Sequence, residues 1–472
     1  MGGGMGGGMG STSPATTPFQ VPLPAPPILS PTRQTDPVTG ATYDFYEVTQ
    51  QIGYKQIIPG LTTAVWGYNG IFPGPTIVAR TGVPVWLRVR NSLPEATVNH
   101  LHGGHVPVSM DGHAMDYIQP GTFHDYLYPN NQVASTLWYH DHTMDRTGAH
   151  VIKGLAGFYI LQDDFEASLP LPKGAQDIAF VIQDRLFNAD GSFNYSLSHM
   201  SIMNGFKGDV LLVNGAVQPY CKVSTRKYRL RILNGSNSRQ YELALGNGAP
   251  FVQIGSDGGL LAAPVTRSSL FICPGERVEV IVDFGGEKVG RQIVLKNLLG
   301  SGRTADVMRF DVSKKETDTA SIPSRLRPIM RMPESMAMKT RTFVLGMSMQ
   351  NMQPVMTING LAYDHMRVDA DPMLDCTEIW EFVNPMNMYH PMHAHDIMWQ
   401  VLDRNGVPPP AWEMGLKDTF YVPPNGRVRV IGTFAHYACD PDMMAHLSNY
   451  MLHCHILEHE DHGMMAQFKV MA

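Results

Sequence analysis

Short runs in which apolar and polar residues alternate recur along the chain, broken by Gly, Pro, Asn or Asp. "ERVEVIVDFGG" at 276–286 and "NGRVRVIGTF" at 425–434 are examples. Alternation sends successive side chains to opposite faces of an extended strand, whereas long stretches of helical period are scarce. Many short strands with turn residues between them predict an all-β chain built as sandwiches or barrels. The punctuation also predicts boundaries. Residues 1–40 are rich in Gly, Met and Pro and read as a loose tail becoming an extended arm. "DDFEASLPLPKG" at 163–174 closes a first unit, and "SKKETDTASIPSRLRPIMRMPESM" at 313–336 reads as a linker. The expected units are therefore 41–165, 175–312 and 341–472, with a linker at 313–340.

These units read as copies of one another. Each holds a strand ending in asparagine: "WLRVRN" at 86–91, "YRLRILN" at 228–234 and "IWEFVN" at 379–384. Nine and eleven residues beyond Asn91 stand His100 and His102, and the same count beyond Asn384 reaches His393 and His395. Beyond Asn234 it reaches Leu243 and Leu245, which are expected to fill a core. The outer units thus carry chemistry that the middle one lacks.

Composition narrows the classes. A net charge of −6, with 17% charged residues, gives no electrostatic case for nucleic acid or for an anionic membrane surface. No apolar run reaches the roughly 18 residues of a membrane-spanning helix. The N-terminal stretch lacks the charged and apolar regions of a secretory leader. A mature periplasmic or extracellular form without its leader is the expectation, with spore coat or cytoplasm as alternatives. Five cysteines leave one odd after any pairing. Cys454 is that one. Cys221, Cys273, Cys376 and Cys439 could form two disulfides or remain thiols.

Four H-x-H pairs occur: His100/His102, His140/His142, His393/His395 and His453/His455. Chance would give about one. On a strand, residues i and i+2 share a face, so each pair aims two imidazoles at one centre. Eight imidazoles gathered without a metal would be costly to bury, and imidazole nitrogens with one thiolate suit copper, zinc or iron. "LHCHILEHEDHGMM" narrows the choice. Cys454 points away from its flanking histidines, His459 and Met464 follow it, and His390 precedes the third pair. Two histidines, a cysteine and a weak axial methionine make a blue-copper site. The first unit has Asp141 where the third has Cys454, and Leu155 where it has Met464.

Those four pairs and the closing "HCHILEHEDHGMM" resemble the multicopper oxidases, above all the bacterial group of spore-coat laccases and periplasmic cuprous oxidases. "WGYNGIFPGPTI", "HLHGGHVP", "VNGAVQPY", "SDGGLL" and "GLKDTF" extend the likeness from about residue 40 to the end. The resemblance implies three consecutive cupredoxin-like Greek-key β-barrel domains. It also implies four copper ions per chain, one type 1, one type 2 and two type 3. By motif, His390, Cys454, His459 and Met464 would hold type 1 copper, and His100 and His393 type 2. His102, His140, His142, His395, His453 and His455 would hold the type 3 pair. Asp111 and Glu460 match positions implicated in proton delivery.

The implied reaction couples four one-electron oxidations of phenols or aromatic amines to the reduction of O2 to water, in a monomer. A dedicated cuprous oxidase is the alternative, and a copper-storage or coat protein a third reading. The donor is expected at an exposed edge of His390. Met388 matches a methionine that helps bind Cu(I) in the cuprous-oxidase branch, and Met386 stands where that branch has an acidic residue. A methionine cluster at 330–356 and a loop at 435–450 carrying Met443 and Met444 are further soft-donor candidates. Part of the cluster, "TFVLGMSM", reads equally well as a strand with packing methionines.

Overall fold

The computed structural model describes residues 12–35, 40–439 and 447–472. Each predicted unit is a pair of sheets. In the first, the strands Thr32–Thr35, Thr42–Lys55, Thr63–Tyr68, Val85–Asn91 and Phe123–Tyr128 face a four-stranded sheet of Ile77–Arg80, Ala156–Gln162, Ser135–His140 and His100–His102. The middle unit has sheets of seven and five strands, and the last has five and four. The longest helix among the described residues, Thr147–Lys153, has seven residues.

The three asparagine-ended strands occupy one structural position. Val85–Asn91, Lys227–Asn234 and Thr377–Asn384 each pair in parallel with the first long strand of their unit. Each also pairs antiparallel with a later strand on its other side. The asparagines then do the same work. Asn91 Oδ1 accepts from Leu93 N while its Nδ2 donates to the carbonyls of Glu95 and Ile118. Asn234 and Asn384 repeat this with Ser236, Arg239 and Ile272, and with Met386, Met388 and Pro423. An Asx turn of this kind ends the strand and turns the chain toward the opposite sheet. The residues nine and eleven further on then enter the core side. In the middle unit these are Leu243 and Leu245, both buried in an apolar cluster.

Several boundaries move. Thr32–Thr35 pairs with Thr42–Lys55, so the first sheet begins inside the stretch expected to be an arm. The preceding residues do form an arm, hydrogen-bonded through Phe19, Leu23 and Leu29 to the middle and first units. Strands Asp306–Lys314 and Lys339–Gln350 extend two residues into each end of the expected linker. That linker is held down: Leu326 packs with Leu171, Ile254 and Leu260, and Arg327 pairs with Asp163. "TFVLGMSM" lies within Lys339–Gln350, a strand in hairpin with Gln353–Ile358. Met347 and Met349 face outward and Met356 lies in the core. None of the five cysteines is bonded to another.

A buried charge cluster fastens the first two units. Arg229 and Arg231, neighbours on one strand face, both bind Glu279 and Glu166, and Arg231 also binds Asp177. Thr136 of the first unit donates to Glu279 at 2.6 Å. Burial alone would raise the Glu279 carboxyl, but the two guanidinium groups bring it down to about 2. Its folded-state value thus lies below the ordinary 4.5, and its stabilisation is complete above that pH and fades as pH falls toward about 2. Glu279→Gln is expected to cost roughly 3–5 kcal/mol, because it removes the fully buried counter-charge that two buried cations share. It should also flatten the acid limb of stability, checked by denaturant unfolding across that pH range.

Candidate metal centre

The H-x-H pairs sit on adjacent strands in each outer unit, with His142, His395 and His455 just past the strand ends. His100 lies opposite His140 in the first, and His393 opposite His453 in the last. All eight side chains are buried. The two units then bring their pairs face to face: the His102 and His393 rings stack at 3.7 Å and those of His100 and His395 at 3.8 Å. His142 Nε2 approaches His453 Nε2 at 3.2 Å, and His395 Nε2 approaches it at 3.3 Å. The His455 ring stands 5.0 Å from His102 and 5.6 Å from His140.

Hydrogen bonds at the far side of each ring decide which nitrogen faces the centre. Nδ1–H of His100, His140 and His393 donates to the carbonyls of Asp111, Asp141 and Asp418 at 2.7–2.9 Å. His395 Nδ1–H donates to Asp111 Oδ2 at 2.7 Å, and His453 Nδ1 lies 2.9 Å from Glu460 Oε2. Each of these rings therefore presents a bare Nε2 inward. His102 is reversed: its Nε2 meets Asp418 Oδ1 at 3.0 Å and its Nδ1 is buried without a partner. The Nε2 atoms of His100, His140 and His393 and both nitrogens of His455 also lack partners. Burial pushes the pKa values of His100, His102, His393, His395 and His455 well below the ordinary range, so these rings are neutral acceptors. Converging lone pairs with no donor among them need a cation, and the donor set fits copper.

The two carboxylates diverge. Burial, with the nearby Asp396, pushes Asp111 well above the carboxylate range. Glu460, placed between His453 and His142, is held well below it, because those imidazoles outweigh its desolvation.

On the other face of its strand, Cys454 Sγ lies 3.5 Å from His390 Nδ1 and 3.7 Å from His459 Nδ1, and the two nitrogens are 3.2 Å apart. Burial raises the Cys454 thiol and lowers His459 to about 4, so a thiolate here needs a positive partner. Met464 is buried in the same core, and its carbonyl accepts from Cys454 N at 3.0 Å. The first unit shows the contrast. Asp141 is satisfied by His150, Val98 and Thr143, and Leu155 is packed in a core.

The expected exposed edge at His390 is absent, since that side chain is fully buried. The short helix His199–Asn204 of the middle unit lies at this end, and the Met203 carbonyl accepts from His459 Nε2 at 3.1 Å. Met203, Met386 and Met388 are half-buried against the same core. Met330, Met336, Met338, Met349 and Met352 are exposed on the linker and hairpin. Met443 and Met444 lie outside the described residues.

Three contributors escaped the sequence reading. Asp418 touches His102 through its carboxylate and His393 through its carbonyl, and Arg277 of the middle unit clamps that carboxylate. Arg277 Nε also donates to Thr136 O at 3.0 Å, so one guanidinium joins all three units. Gly275, at φ 84°, lies flat on His455, where a Cβ would meet the ring at 2.9 Å. "GLKDTF" and "CPGERVEV" contain these residues, but lone charges in strands carry no spacing signal. Arg277→Lys is expected to keep the fold yet lose the bidentate clamp. Metal analysis should then find depletion at the histidine cluster while the Cys454 site stays loaded.

The family model of the multicopper oxidases matches residues 51–165 and again residues 333–472. The laccase of Bacillus subtilis is 36% identical, covering 94% of this chain and 96% of its own. The bilirubin oxidase of Albifimbria verrucaria is 37% identical over 94% of this chain and 80% of its own. Among solved structures, the laccase-like multicopper oxidase of Ochrobactrum sp. superposes with a TM-score of 0.84 at 32% identity, covering 95% of this chain and all of that one. With the predicted strands, their shared Asx turns and a buried set of histidines in place, these likenesses make the chain a member of the multicopper oxidase family, three cupredoxin-like domains with copper as cofactor.

Proposed function

We propose that this chain is a laccase-type oxidase that takes single electrons from phenols or aromatic amines and uses four of them to reduce O2 to water. The observation that carries the proposal is the pair of buried donor sets on opposite faces of one strand. His390, Cys454, His459 and Met464 would hold one type 1 copper. His100 and His393 would hold type 2, and His102, His140, His142, His395, His453 and His455 the type 3 pair. Bound copper supplies one-electron redox chemistry at the thiolate site and O2 reduction at the histidine site. Cys454 is covalently joined to His453 and His455, so the two sites are connected by backbone bonds alone.

Asp111 and Glu460 fit the proton side of the reaction. Burial, with Asp396, raises the Asp111 carboxyl, and its Oδ1 is buried without a partner while Oδ2 accepts from His395. Glu460 is ionised and braces His453. Two carboxyls at the two sides of one centre, one shifted up and one shifted down, suit proton exchange at its rim. Such groups serve turnover and have no role in mere copper storage. Every candidate ligand comes from one chain, so a monomer suffices.

The second reading, Cu(I) as the donor, is favoured by the cover over His390, where Met386 and Met388 place soft thioethers in the half-buried layer.

Oxygen uptake by the copper-loaded protein, with a simple phenol and with Cu(I) in parallel, tests both. Fast phenol turnover supports the laccase reading. Saturable uptake with Cu(I) and sluggish phenol turnover favours the second, and no uptake with either sinks both. Cys454→Ser should abolish the blue absorbance and donor oxidation while the histidine cluster keeps its copper. Asp111→Asn, which keeps the shape but holds no titratable proton, should lower turnover about 10²–10⁴-fold. The loss should appear in the O2-reducing half-reaction, with anaerobic reduction of the blue site unchanged.

A further inference from the structure

The third histidine of "HLHGGHVP", His105, takes no part in the sites above. It lies at the seam of the first and last domains. Its Nδ1–H donates to Asp396 Oδ1 at 2.9 Å, so its Nε2 carries the free lone pair. That Nε2 faces His436 Nδ1 at 3.1 Å, and the Tyr437 ring packs on His105 with centroids 4.8 Å apart. The separation matches those inside the proposed copper sites, 3.2 Å between His390 and His459 and 3.2 Å between His142 and His453. A carboxylate fixing one histidine so that its other nitrogen is bare is the outer shell typical of metal-binding imidazoles.

The backbone supports the same reading. Asp396 at φ 74° and His436 at φ 75° both occupy the left-handed region. Such conformations are disfavoured for non-glycine residues and persist where surroundings impose them. These two residues flank one imidazole from opposite sides. Asp396 Oδ2 is buried without a partner, so its carboxylate is held here for more than its bond to His105. A cleft of about 210 Å³, lined by His105, Gln132, Met398 and His436 among others, opens beside the pair and leaves room for water ligands.

We propose that His105 Nε2 and His436 Nδ1 form a further metal site, binding one divalent cation of the zinc or Cu(II) class with water completing its shell. Asp396 orients His105, and the bound ion staples the first domain to the 435–439 segment of the last. Asp396 directly follows His395, so the staple braces the backbone of a candidate cluster ligand. The site is separate from the oxidase chemistry, and its existence does not depend on which donor the enzyme uses.

The test is equilibrium dialysis of the copper-loaded protein against Zn(II) alone, at mildly alkaline pH. The wild type should take up one zinc beyond its resident copper, and its unfolding midpoint should rise with zinc concentration. His436→Ala changes an exposed residue. It should lose that equivalent and the zinc-dependent rise while keeping its blue absorbance and copper content. His105→Gln should lose the same equivalent. Asp396→Asn, which removes only the orienting charge, should weaken zinc binding about 10- to 100-fold. Equal zinc uptake by wild type and His436→Ala, or no uptake by wild type, would overturn the proposal and leave the pair a hydrogen bond across the seam.

Discussion

The structure turns on one electrostatic constraint: several neutral imidazoles aim bare nitrogen lone pairs at one buried space. Without a cation those lone pairs repel, and burying them unpaired is costly. The histidines come half from the first domain and half from the last, so the constraint binds the two ends of the chain together. Stacked rings across the seam, His102 on His393 and His100 on His395, bring the halves together. Metal binding then becomes part of the folding free energy of the interface.

The middle domain, which has no ligands, acts through charge. Its Arg277 compensates Asp418, which otherwise would sit ionised and buried against two histidines. Lys417 performs a similar service for Asp257 and Glu276 nearby. Glu279 with Arg229 and Arg231 does the same at the seam with the first domain. Buried ion pairs are weak sources of net stability, yet removing one partner is expensive. Such pairs thus hold the domains in a single register, which the histidine separations require.

The Cys454 site follows a different rule. Its thiolate needs a soft cation and a dry setting, and the third domain supplies aromatic packing around Trp380, Trp399, Phe434 and Phe468 close by in the same core. The middle domain closes it with the helix that hydrogen-bonds His459. His390 is buried, and Met203, Met386 and Met388 lie half-buried against the same core, so no imidazole edge is open there.

Much of this was legible in the residue order. Alternation named the strands, because a half-buried strand must alternate. The fixed offsets from Asn91, Asn234 and Asn384 named the repeat, because an Asx turn delivers the following residues to the same place each time. The H-x-H spacing placed imidazoles on shared faces, and the cysteine between two of them marked the second site. Other features had no local signature. Asp418 and Arg277 are single charges whose meaning lies in meeting each other across domains. The carbonyl that caps His459 comes from Met203, 256 positions earlier in the chain. The pairing of His105 with His436 joins residues 331 positions apart. Sequence by itself determined the strands, the repeat and the metal-binding vocabulary, since period and spacing act within one element. Tertiary structure alone decided which nitrogen each ring presents, which carboxyl is shifted up and which down, and what covers the Cys454 site. Those outcomes depend on hydrogen bonds and desolvation between distant segments, and no local pattern encodes them.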